Sequence, residues 1–121
     1  MKKLLILVAV MSLVSIGIAF SQDAKTIKGE VIDVSCYIAA GAKGAGHKDC
    51  ASACLKAGEP GGILEEKSGN VYIVVTADHS TNPSKKILPH VAKMIEAKGI
   101  VSEKDGVRII DITEIKEVAA K

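Results

Sequence analysis

Apolar and polar residues alternate along "TIKGEVIDV" (26–34), with Ile27, Gly29, Val31 and Asp33 on one side and Lys28, Glu30, Ile32 and Val34 on the other. A period of two predicts a strand, because successive side chains of extended chain point to opposite faces. Gly29 inside the run predicts a bulge or a sharp bend. "GGILEE" and "NVYIVVTA" predict two more strands, joined by a hairpin turn at Lys67-Ser68-Gly69-Asn70. The isoleucine-rich "GVRIIDITEIKEV" predicts a final strand, and "EKDG" (103–106) ahead of it is a hairpin signal.

Residues 87–101 carry two periods at once. Leu88, Val91, Met94 and Ile95 fit a helical stripe, whereas Ile95, Ala97, Gly99 and Val101 fit a strand returning through "EKDG". A proline inside a helix costs about 3 kcal/mol, but Pro89 is tolerated at a helix start or in a short turn. The segment therefore divides into a short helical turn over 84–91 and a strand over 93–102. The resulting order is strand, insert, strand, strand, short helix, strand, strand. That is the order of an OB-type five-stranded small barrel, although an open antiparallel α+β sheet carries the same hairpins.

Ahead of these elements Leu4 to Phe20 is apolar apart from Ser12, Ser15 and Gly17, and Lys2 and Lys3 precede it. Ala19 and Ser21 place small residues at −3 and −1, which predicts a signal peptide over 1–21 cleaved after Ser21. The run is at the short limit for a membrane span and no stop-transfer charge cluster follows, so no stable membrane anchor is expected after cleavage. No cysteine stands at the cleavage point, as a lipoprotein would need. The expected product is one exported domain, periplasmic or secreted, over 22–121.

Cleavage changes the charge picture. The chain has 16 basic and 14 acidic residues, and loss of Lys2 and Lys3 makes the two equal. A neutral domain has no electrostatic pull toward nucleic acid, and Tyr37 and Tyr72 alone make a poor base-stacking platform. Nucleic acid is not an expected partner.

All three cysteines, Cys36, Cys50 and Cys54, lie in the insert between the first two strands. "HKDCASACLKAG" favours helix, with Gly58 at the position of a C-terminal cap. On that helix His47, Cys50 and Cys54 fall within about 60° of arc. Cys36, at the end of the first strand, can approach the same face across the intervening loop.

Three chemistries suit this set. One is a tetrahedral Cys3His site for a soft metal, zinc or copper, although the spacing lacks the C-x2-C knuckle of familiar zinc sites. Another is a disulfide from Cys36 to Cys50 or Cys54, a staple worth ~2–4 kcal/mol in an exported domain, which leaves one thiol spare. The third is a reactive or redox thiol with His47 as its base, for which no oxyanion partner or C-x-x-C pair can be named. The C-x-x-C-H pattern of covalent haem is absent. Asp33 is either a cap for the insert backbone, the simpler role, or a partner that orients His47. His79 and His90 read as solvated loop residues.

Gly29-x-Val31-x-Asp33-x-x-Cys36 followed by His47-x-x-Cys50-Ala51-x-x-Cys54 resembles the pattern of a group of small exported bacterial proteins of unknown function. The resemblance covers most of the mature chain, and its Cys/His part is the specific portion. It implies an OB-like fold with the four Cys/His residues as functional centre, and it brings no activity. The expectation is an exported, non-enzymatic small binding domain, either metal-holding or disulfide-stapled.

Overall fold

The structure is a computed structural model that describes residues 24–120. The expected signal peptide over 1–21 and its cleavage point after Ser21 lie outside the described residues. Five strands, β1 (Ala24–Asp33), β2 (Gly61–Glu65), β3 (Val71–Val75), β4 (Met94–Lys104) and β5 (Val107–Glu117), close into a barrel in the order β1-β2-β3-β5-β4. This is the OB-type order, and the open-sheet alternative is not what forms.

β1 serves two neighbours. Ala24 to Glu30 pairs with β4, and Gly29 to Asp33 pairs with β2. The exchange falls at Gly29, where an added Cβ would strike the Leu64 carbonyl group, so the expected bend is a site of close backbone approach. "EKDG" forms a two-residue hairpin turn, with Asp105 and Gly106 at φ 52° and 83°. Two positive φ values suit the right-handed twist of the flanking strands. β4 and β5 slip register between Lys98 and Gly99, where the Thr113 hydroxyl donates to the Lys98 carbonyl at 3.1 Å.

The divided reading of 84–102 holds, with one change. The helical part is two 3-10 turns, Pro83–Lys86 and Leu88–His90, each with proline in its first turn. Val91 then bridges to Val31 beside the start of β4. Ile27, Val31, Ile63, Val74, Ile95, Ala97, Ile110 and Ile112 fill the barrel, and Ile87 and Val91 join them from the 3-10 segment.

The parallel seam between β3 and β5 is short, running from Ile73–Ile109 to Val75–Asp111. Beyond it, the Lys86 ammonium donates to the Ile112 carbonyl at 2.8 Å and lies 3.4 Å from the Asp111 carboxylate.

Candidate metal centre

The insert holds two helices, α1 (Val34–Ala40) and α2 (Lys48–Ala57), with a 3-10 turn over Ala45–His47 between them. Cys36 is therefore in the first turn of a helix, not at the end of the first strand as the sequence pattern suggested. Asp33 makes the difference. It is the last residue of β1 and the N-cap of α1, and its Oδ1 accepts from the Cys36 amide at 3.2 Å. That cap stops the strand and starts a helix within one residue. α1 ends at Gly41, which takes the left-handed conformation (φ 65°) and donates to the Tyr37 carbonyl at 2.8 Å. "YIAA" has little amphipathic pattern, so periodicity gave no sign of this helix.

α2 forms as expected and Gly58 caps it at φ 104°. Asp49 in the first turn and Lys56 in the last complement the helix dipole. Ala51 and Leu55, one turn apart, are 3% and 1% exposed and enter the core. An added Cβ at Gly61 would collide with Leu55 and Ile87, so the start of β2 leaves the space that Leu55 fills. This anchorage fixes the rotation of α2. Cys50 and Cys54 sit one position before Ala51 and Leu55, and so occupy the flank of the helix, about 100° round from the core.

α1 is held beside that flank by two bonds to the connection after α2. The Val34 amide donates to the Pro60 carbonyl at 3.0 Å, and the Ser35 hydroxyl to Glu59 Oε2 at 2.7 Å. Cys36 is consequently placed against both ends of the α2 flank. Its sulfur forms one compact group with His47 and Cys50, and another with Asp33 and Cys54. Within each group the donor atoms all lie within 4.8 Å of one another. Cys50 is exposed, while Cys36 and Cys54 are half-buried.

His47 stands at the junction of the 3-10 turn and α2, as N-cap of the longer helix. Its Nε2 is buried without a hydrogen-bond partner, and so is Asp33 Oδ2. Both residues line one cavity of about 10 Å³, which has room for about one water-sized ligand. Buried nitrogen and oxygen atoms ordinarily find partners, so two orphans on residues that also belong to the thiol groups mark these side chains as candidates for a ligand.

The electrostatics centre on Asp33, which is fully buried. Burial pushes its carboxyl upward. Interactions with the Cys36 thiol and amide, then the Cys54 thiol and the Ser35 amide, outweigh that and hold it below the usual carboxylate range. Neither thiol closes a hydrogen bond of normal geometry at Oδ2. The carboxylate in turn raises the Cys36 thiol, with burial adding to the effect. It pushes the Cys54 thiol up to about 12, again with burial second. An activated nucleophile needs the opposite shift, so Cys36 and Cys54 lack the electropositive setting of a reactive cysteine.

All three cysteines are free thiols, with no pair at bonding distance. His90 is not simply solvated. Its Nδ1 lies 2.7 Å from Glu117 Oε1, which also accepts from Lys93 Nζ at 2.8 Å. His79 lies in an exposed loop at φ 53°. The residue that sequence reasoning undervalued is Asp33, which it treated as a cap or an aid to His47. The alternation Ile27, Gly29, Val31, Asp33 was the available signal, since it carries a carboxylate into the buried row of β1.

The donor chemistry fits a soft or borderline metal ion, since thiolate and imidazole are the ligands such ions prefer. In comparisons with family models, curated proteins and solved structures, nothing matches this chain.

Proposed function

We propose that this is an exported, non-enzymatic binding domain whose helical insert captures a soft metal ion, zinc or copper, through Cys36, His47, Cys50 and Cys54. The observation that carries the reading is the clustering of Cys36, His47 and Cys50 within 4.8 Å, with Cys54 in a second group that shares the same Cys36 sulfur. Sulfurs around one tetrahedral zinc stand about 3.8 Å apart, so the Cys36, His47 and Cys50 donors close by at most about 1 Å, and Cys54, outside that group, swings in to complete the set. Capture displaces thiol protons to solvent, so uptake weakens as the medium becomes acid. The barrel supplies rigidity: α2 is anchored through Ala51 and Leu55, and α1 through the Asp33 cap. Export and kinship with the small bacterial proteins of the same Cys/His pattern belong to this proposal.

The test is elemental analysis with intact mass, on protein purified from its native compartment. Wild type should carry metal, and Cys36→Ser, which removes the sulfur common to both groups, should carry none. Metal-free wild type whose mass rises by two hydrogens on reduction would sink the reading. It would favour the second one, a disulfide-stapled interaction module with one spare thiol, for which Cys36 has two possible partners nearby.

A further inference from the structure

We infer that the insert is a binuclear zinc site in which the Cys36 thiolate bridges two ions. The inference rests on the metal-binding reading above and specifies its capacity and its metal. The outer ion takes Cys36, His47 and Cys50, and the inner ion takes Asp33, Cys36 and Cys54. The two donor groups are separately compact and share one sulfur. A thiolate has the lone pairs to bind two ions at once.

The carboxylate is what a single ion leaves unexplained. Asp33 Oδ1 is occupied by the Cys36 amide, while Oδ2 is fully buried and unpartnered. Buried polar atoms ordinarily find partners, and a cation between Asp33, Cys36 and Cys54 would supply the one that Oδ2 lacks. Formal charge points the same way. Three thiolates and one carboxylate carry four negative charges, and His47 binds metal as the neutral imidazole. Two divalent ions balance this set, whereas one leaves it doubly negative.

The inner donors also select the element. Carboxylate oxygen with two thiolates suits borderline zinc, which accepts O, N and S ligands alike. Copper(I) prefers soft sulfur and is poorly served by Asp33. Each ion would hold three protein donors, leaving a fourth position to solvent. On uptake the three thiols give up their protons to the buffer, and the ionised Asp33 gives up none.

The experiment is a zinc titration of reduced, metal-free protein followed by native mass spectrometry. Wild type should saturate at two zinc ions. Asp33→Asn, which keeps an N-cap oxygen, and Cys54→Ser should each saturate at one. His47→Gln and Cys50→Ser should also saturate at one, and Cys36→Ser should lose the second ion and bind the first far more weakly. Saturation of wild type at one ion overturns the inference and leaves the metal-binding reading standing. Two ions retained by both Asp33→Asn and Cys54→Ser would overturn it as well. No zinc at all would remove both. Should Asp33→Asn fail to fold, the half-buried Cys54→Ser decides the inner site alone.

Discussion

Replacing Asp33 tests whether one side chain joins barrel and insert. In Asp33→Ala the Cys36 amide loses its acceptor, and α1 loses its cap. Cap removal alone costs ~0.5–2 kcal/mol, and a buried donor left without a partner costs about 1–3 kcal/mol. The two overlap, so a loss of about 2 kcal/mol is expected in the metal-free protein. In a domain of this size that lowers Tm by roughly 8–16 °C. Asp33→Asn keeps an oxygen at the cap and should lose less than half as much.

The pH dependence separates cap from charge. Asp33 titrates below its ordinary value in the fold, so its ionisation adds stability above about pH 4. That contribution drains away as pH falls through the lowered folded value. Asp33→Asn should lack this acid limb and converge on wild type at low pH. Urea denaturation at pH 7, 5 and 3, with chelator and reductant present, measures all three proteins. Equal stability of Asp33→Ala and wild type at pH 7 would refute the capping role, and an unchanged acid limb in Asp33→Asn would refute the electrostatic one.

Two further outcomes follow from the same geometry. Leu55→Ala should cost about 2–5 kcal/mol, read as a lower urea midpoint at unchanged m, because the buried Leu55 and Ile87 fill the space that Gly61 leaves; a change under about 0.5 kcal/mol would show that α2 is not anchored as described. In metal-free protein, alkylation of Cys54 should still be accelerating at pH 10, and its raised value means stability present below about pH 8.5 is lost as pH climbs toward 12. Asp33→Asn should bring the alkylation midpoint down, and a plateau in wild type below pH 9 would contradict the Asp33–Cys54 interaction.

The barrel was legible because its signals are local. "KSGN" and "EKDG" announce their hairpins, period-two alternation marks β1, and Pro89 divides 84–102 whichever period dominates. α2 was equally readable from its alanines and Gly58. α1 was not, because seven residues carry too little periodicity and the capping role of Asp33 acts through one hydrogen bond. The shared helical face was a matter of angle alone. His47, Cys50 and Cys54 do converge on Cys36, but as two groups that share its sulfur. That division depends on how α1 docks through Val34 and Ser35, and no spacing along the chain encodes a docking angle.

The strand order has a consequence for how the molecule is made. β1 borders β4, and β3 borders β5, so the ring stays open on two sides until residues 94–117 have been synthesised. Pairings between such distant stretches form late and slowly. The three thiols all emerge well before that. During this interval they are tethered on a partly built scaffold. The insert's thiols are therefore present before the barrel that holds them is closed.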